Sequence, residues 1–249
     1  MMTAPTVEII IQPVCLRFRL HEDELVYLFA AGADQQLDRM EQMLGVAPGD
    51  QPIFKTNVGF LPVASTVLLR GEKTLLIDPG NHHVGAYAIL WHALRNRGLD
   101  YSDIDAIVTT HAHSDHAAAI TQLPGAPWIL GAGELEEMAS IEGAPIVEAK
   151  KSMMGAITEL ETEAELMPGV TAFATPGHTA GHISLLVETD EGRVLVAGDL
   201  AMLRSEYTDR KFSQWYSDAQ LDALHKSLDR AQALNPDLVI PGHDRIFRP

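Results

Sequence analysis

The sequence predicts an α/β fold of two pseudo-symmetric halves, each a β-rich layer covered by helix, and three observations carry that expectation. One order of elements (hairpin, aspartate, helix, strand, histidine) occurs twice along the 249 residues. Hydrophobic residues make up 46% of the chain, enough to bury a sizeable core. No low-complexity linker separates the two occurrences, so residues 1–249 read as one domain.

In the first occurrence, STVLLRGEKTLLIDPG (Ser65 to Gly80) is a pair of β-rich runs about a Gly-Glu turn, ending at Asp78. In HHVGAYAILWHALRNRG, Val84, Tyr87, Ala88, Trp91 and Leu94 recur at helical spacing, and Gly98 stops the helix after a basic last turn. IDAIVTTH is then a short buried strand ending at His111. In the second occurrence, HISLLVETDEGRVLVAGD is a hairpin ending at Asp199, and DAQLDALHKSLDRAQAL is an amphipathic helix with Leu221, Leu224, Leu228 and Ala231 inward. PDLVIPGH closes it as a buried strand ending at His243. Between them, GELEEMAS is helical, KKSMMGAITELETEAELMPG is acidic and without clear period, and GVTAFATPGH is a strand whose Pro-Gly turn delivers His178. The whole unit is too long for a solenoid repeat and pairs two layers instead.

Composition narrows the function classes. Cys15 is the single cysteine, which excludes a disulfide framework and a thiolate cage. The N-terminus has no basic stretch ahead of its apolar run and no 18-residue apolar span follows, so the chain is expected to be cytoplasmic and not membrane-bound. A formal net charge of −16 disfavours nucleic acid and anionic membranes as partners and suits a small-molecule substrate. Oligomeric state is open, a homodimer included.

The chemistry is concentrated in TTHAHSDH, residues 109–116, with three of the chain's 11 histidines and an aspartate inside six positions. Imidazole and carboxylate are the usual nitrogen and oxygen ligands of zinc. His111 and His113, two apart at a strand end, share a face, whereas Asp115 and His116 follow a turn into a helix starting near Ser114. Four donors from so short a stretch exceed what one tetrahedral ion with an open position takes, so two ions are expected. His178, Asp199 and His243 each follow a glycine at a strand end, and in open α/β sheets ligands gather at the carboxyl ends of strands. His111, His113 and His178 would then hold one ion, Asp115, His116 and His243 the other, with Asp199 between them. His182 is expected to pack or hydrogen-bond, and His21, His82, His83, His92 and His225 to sit on the surface or in helices.

HAHSDH, TPGHTAGH, VAGD and IPGH resemble the ligand set of the metallo-β-lactamase superfamily, in the dinuclear branch that includes glyoxalase II and the acyl-homoserine lactonases. The likeness spans roughly residues 60 to 249. It implies a four-layer αβ/βα sandwich with the metals at one rim, agrees with the ligand assignment above, and gives Asp78 a supporting role behind a ligand. Zn2+ is the expected metal, with Fe or Mn as alternatives, and the expected reaction is hydrolysis by a hydroxide bridging two ions, with Asp115 as ligand and proton acceptor. True β-lactamases usually have arginine at the place of His116 and a cysteine ligand, so antibiotic hydrolysis is disfavoured. Lactonases of the superfamily place a tyrosine three residues after the bridging aspartate, where this chain has Met202, and glyoxalase II carries a further helical domain. A carboxylic ester or lactone is the first expectation. Thioester or phosphodiester hydrolysis comes next, then a mononuclear iron oxygenase or a non-catalytic metal-binding protein.

Two aperiodic stretches rich in aromatic and polar residues, IFKTNVGFLP (Ile53 to Pro62) and LRSEYTDRKFSQWY (Leu203 to Tyr216), are expected to form loops over the metals. Phe54, Phe60 and Trp215 would supply an apolar wall, and Arg204 or Tyr207 would meet the substrate's polar group.

Overall fold

Which face of each strand carries the apolar side chains decides how the layers stack. The computed structural model describes residues 4–21, 24–29, 58–80, 86–212 and 216–249. Its strands are β1 (Thr6–Ile11), β2 (Val14–His21), β3 (Glu24–Phe29), β4 (Val58–Val63), β5 (Thr66–Arg70), β6 (Thr74–Ile77) and β7 (Ala106–Val108). They continue as β8 (Trp128–Gly131), β9 (Ile157–Leu160), β10 (Glu163–Met167), β11 (Val170–Ala174), β12 (Ile183–Thr189), β13 (Gly192–Gly198) and β14 (Leu238–Pro241). The α-helices are α1 (Ala86–Arg95), α2 (Ser114–Ala117), α3 (Glu134–Glu142), α4 (Ala144–Met153), α5 (Arg204–Asp209) and α6 (Asp218–Ala233).

One sheet has the order β1-β5-β6-β7-β8-β9 and the other β10-β11-β12-β13-β14. The duplicated sequence grammar is a duplicated topology. β5 and β6 pair antiparallel with Val67 opposite Ile77, and β7 runs parallel to β6. β12 and β13 pair antiparallel with Leu185 opposite Val196, and β14 runs parallel to β13. Each half therefore ends two parallel strands at one edge, which delivers Asp78 and His111 together, and Asp199 and His243 together.

Strand alternation then builds the layers. Val67, Leu69, Leu75, Ile77 and Val108 of the first sheet meet Val170, Ala172, Leu185, Val187, Val196 and Ile240 of the second in one buried cluster. The neighbouring positions Leu68, Leu76 and Ile107 face the other way, against Leu90 and Leu94 of α1. Phe173, Leu195 and Val239 likewise face Leu224, Leu228 and Ala231 of α6. The result is helix, sheet, sheet, helix. Each such aliphatic side chain, once fully buried, contributes about 1.5–3 kcal/mol.

The structure differs from the sequence reading at several places, among them the stretch expected as a loop over 53–62, whose described end is strand β4. α1 buries Leu90, Ala93 and Leu94, while Trp91 is 43% exposed, because the stripe that meets the sheet is rotated from the one that the larger residues suggested. Trp91 stacks instead beside Arg95. The stretch after Asp199 is not all loop: α5 forms over 204–209, its entry held by Glu206, whose carboxylate accepts from the N–H groups of Met202 and Leu203. The acidic stretch resolves into the end of α4, then β9 and β10. The N-terminal segment, without assignment in the sequence, supplies β1 to the first sheet, and β2 and β3 join β4 in a separate sheet of order β3-β2-β4. Among the described residues no helix is long and apolar enough to cross a membrane.

Candidate metal centre

The loop after β7, the short α2, the turn after β11 and the ends of β13 and β14 converge on one spot. The donor atoms of His111, His113 and His178 lie within 4.8 Å of one another, as do those of His111, His116 and Asp199, and those of Asp115, His116 and His243. Asp199 stands among them. Its Oδ2 is 3.3 Å from His178 Nε2, 3.4 Å from His243 Nε2 and 3.9 Å from His111 Nε2, and its Oδ1 is 3.3 Å from His116 Nε2. Asp115 Oδ2 is 3.2 Å from His243 Nε2 and 3.7 Å from His116 Nε2. His178 Nε2 and His113 Nδ1 are 2.9 Å apart.

What turns these atoms toward one another is the set of bonds on the far side of four of the rings, those of His111, His116, His178 and His243. Asp78 accepts from Thr110 N (2.7 Å) through Oδ1, and from Thr110 Oγ1 and His116 Nδ1 (2.8 Å each) through Oδ2. A carboxylate only accepts, so His116 Nδ1 carries a proton and Nε2 is left toward the cluster. Thr110 has given its hydroxyl proton to Asp78, so at 3.1 Å it accepts from His111 Nδ1, and His111 Nε2 is left free as well. His243 Nδ1 donates to the carbonyl of Val63 at 3.3 Å, and His178 Nδ1 pairs with the Tyr216 hydroxyl at 2.6 Å. This anchoring of the distal nitrogen fixes ring orientation and tautomer, as it does behind metal-bound imidazoles.

Two glycines make room for Asp199. Gly198 has φ +55°, and a Cβ on it would meet Thr110 Oγ1 at 2.7 Å. Gly242 lies outside the left-handed region, and what it provides is space: a Cβ there would come within 1.9 Å of Asp199 Oδ1. The backbone N–H of Asp199 donates to His182 Nε2 at 3.0 Å, and the opposite nitrogen of that buried ring bonds Thr175 Oγ1 at 2.8 Å. His182 therefore holds Asp199 from behind through neutral imidazole, its pKa pushed well below the usual value by burial and then by the neighbouring His178.

The charge state of the cluster is that of a site arranged around positive charge. Burial opposes a proton on His116, but Asp199, Asp78 and Asp115 outweigh it and raise its pKa to about 10. His243 is raised well above its ordinary value against the same burial, by Asp199 and Asp115. His111 goes the other way, well below, through burial and then the neighbouring imidazoles, and His178 falls to about 4 for burial first. His111 Nε2 and Asp199 Oδ1 are buried with no hydrogen-bond partner among the described residues. A buried acceptor pair of this kind is costly unless something else occupies it, and a nitrogen and oxygen donor set without thiolate suits a divalent ion of the zinc type.

The residues expected to touch substrate are distributed differently. Phe54 and Trp215 lie outside the described residues, and Phe60 is in β4, paired opposite Arg17. Arg204 is exposed, its guanidinium 5.4 Å from the centre of the Phe247 ring. Tyr207 is a core residue, 2% exposed and packed edge-on against Phe247, because the helical turn of α5 points it inward. Burial pushes its phenol to about 12. Contact with an open substrate site is not what that position offers. Thr110 and Glu134, within one bond of the cluster or its loops, carried no signal of their own in the sequence, whereas Tyr216 is the end of the aromatic stretch expected over the metals and meets His178.

A family model described as the metallo-beta-lactamase superfamily matches residues 58–243. A probable metallo-hydrolase of Methanocaldococcus jannaschii is 31% identical over 207 residues, which cover 78% of this chain and 93% of that protein. An N-acyl homoserine lactonase of Bacillus cereus is 29% identical over 155 residues, 61% of this chain and 60% of that protein's length. Among solved structures, an N-acyl homoserine lactone hydrolase with the product N-hexanoyl-L-homoserine bound at its catalytic metal centre superposes with a TM-score of 0.64 at 20% identity, over 98% of this chain and 94% of that one.

Proposed function

The chain belongs to the metallo-β-lactamase superfamily, and on that footing we propose that it is a hydrolase of carboxylic esters or lactones working with two divalent ions, Zn2+ first and Fe or Mn as alternatives. One observation carries the proposal: four imidazoles whose Nδ1 atoms are tied to Asp78, Thr110, Val63 and Tyr216 turn their Nε2 atoms onto Asp199, and two of the buried ligand atoms there have no hydrogen-bond partner among the described residues. His111, His113 and His178 would hold one ion and Asp115, His116 and His243 the other, with Asp199 shared. Two ions so held would bring the pKa of a shared water to roughly 7 and polarise the carbonyl under attack.

The protein's own part is positional and protonic. Asp115, its carboxylate 3.2 Å from His243 Nε2, accepts the proton of the attacking water and passes it to the departing alkoxide. Asp78 and His182 keep His116 and Asp199 from turning away. Supporting the ester and lactone class are the relatives whose names are N-acyl homoserine lactonases; an apolar wall of Phe54, Phe60 and Trp215, with Arg204 meeting the substrate's polar group, belongs to the same proposal on sequence grounds. The test is turnover by metal-loaded protein of an N-acyl lactone, an aryl ester, a thioester and a bis-aryl phosphate. The lactone or ester should give the highest kcat/KM. A thioester or phosphodiester giving the highest value would overturn the substrate class.

A further inference from the structure

Glu134, the first residue of α3, is wholly buried yet belongs to none of the three donor groups. Its Oε2 accepts from the N–H of Ala112 at 2.6 Å, the residue between His111 and His113. Its Oε1 accepts from Thr179 Oγ1 at 2.5 Å, the residue after His178. The space it occupies is shaped for it. A Cβ on Gly181 would fall 2.9 Å from Glu134 Oε1, and one on Gly131 would fall 1.7 Å from the carbonyl oxygen of Gly181. One carboxylate therefore bonds both segments that carry the first histidine trio, segments 65 residues apart in sequence at the His113–His178 contact. Burial raises the Glu134 pKa to about 7 against the bonds that favour its charge, and in its ionised form those bonds are about twice as strong as neutral ones.

We propose that Glu134 is a positioning residue that clamps the loop of His111 and His113 to the turn of His178, and so sets the geometry of the ion-binding trio; the proposal rests on the two-ion reading above. The bonds from Ala112 and Thr179, and a further backbone one from Gly181, all come from donors, so an acceptor-only carboxylate fits where an amide must turn its NH2 toward one of them. The Thr179 hydroxyl can accept from that NH2, and the Ala112 N–H cannot, which leaves Glu134→Gln one acceptable orientation. Leucine at 134 leaves those buried donors unpaired.

The experiment titrates metal-free protein with Co2+, following the visible absorption of each bound equivalent, in the wild type and in Thr179→Val, Thr179→Ser, Glu134→Gln and Glu134→Leu. Thr179→Val and Glu134→Leu should weaken the ion of the His111/His113/His178 trio by roughly 10 to 100-fold, as loss of a partner behind a ligand does. They should leave the ion of Asp115, His116 and His243 in place, and Thr179→Ser should restore wild-type binding. Should Glu134→Leu not fold, Thr179→Val against Thr179→Ser decides. Wild-type binding of both equivalents in Thr179→Val overturns the clamp, and so does equal weakening of both, which indicates general loosening. A wild-type protein that takes up no Co2+ refutes the two-ion reading instead. The clamp is then judged on metal-free protein by the imidazole nitrogen resonances of His113 and His178, which should move in Thr179→Val and not in Thr179→Ser; unmoved resonances overturn it.

Discussion

Asp78 and Asp199 occupy equivalent places in the two halves, each following the second strand of a hairpin at the edge where the next strand runs parallel. Their surroundings differ. The loop after β7 folds over Asp78 and supplies three donors, from Thr110 N, Thr110 Oγ1 and His116 Nδ1. Over Asp199 the corresponding chain is Gly242, which brings no side chain; Oδ1 is buried with no geometric hydrogen bond among the described residues, its neighbour being His116 Nε2 at 3.3 Å, and Oδ2 faces three further imidazoles. One aspartate is satisfied by protein and stiffens the site, while the other keeps an oxygen that, on the proposed reading, an ion would take. The fold repeats, and the two halves differ in what is packed over the aspartate.

Substitutions separate the roles of the two aspartates. Asp199→Ala should have the largest effect, removing the shared oxygen donor and with it turnover on every substrate and most bound metal. If it keeps both ions, Asp199 is not the shared donor. Asp115→Asn should lower kcat by about 10²- to 10⁴-fold, the usual worth of a placed acid–base group, while the chain keeps its fold by circular dichroism. A near-normal kcat would remove Asp115 from proton transfer. Asp78→Ala should weaken both ions by roughly 10 to 100-fold, because it acts on His116 directly and on His111 through Thr110. Loss confined to one ion would show that only one of these two paths matters. The smallest effect concerns pH. Protons on His116 and His243 stabilise the metal-free fold, fully so below the unfolded value near 6.5, and that contribution disappears as pH rises through the folded value of His116, about 10. Melting of metal-free protein should therefore fall across that window and that of metal-loaded protein should not, since binding replaces those protons. Equal melting profiles would contradict it.

How far the sequence carried this account depended on whether a signal was local. The apolar β-rich runs in STVLLRGEKTLLI and VLVAGD and the motifs around His111 and His243 made the sheets, the duplicated order and the converging side chains legible in the sequence. The fixed period of α6 placed Leu224, Leu228 and Ala231 correctly. The face of α1 was misjudged because Trp91 and Leu90 are adjacent and both apolar, and only the sheet decides which is covered. Tyr207 was misjudged because a six-residue helix leaves no readable period. Glu134 was invisible for a different reason: an acidic residue at a helix start is ordinary, and nothing local tells that its partners are Ala112 and Thr179, 22 and 45 residues away.

The central claim, two ions on separate trios with Asp199 shared, is tested most directly by elemental analysis of purified wild type beside His113→Ala, His116→Ala and His243→Ala. The wild type should hold close to two metal equivalents per chain, His113→Ala should lose mainly one of them, and His116→Ala and His243→Ala mainly the other. A single tightly held iron in the wild type, unchanged in His116→Ala, would contradict the account.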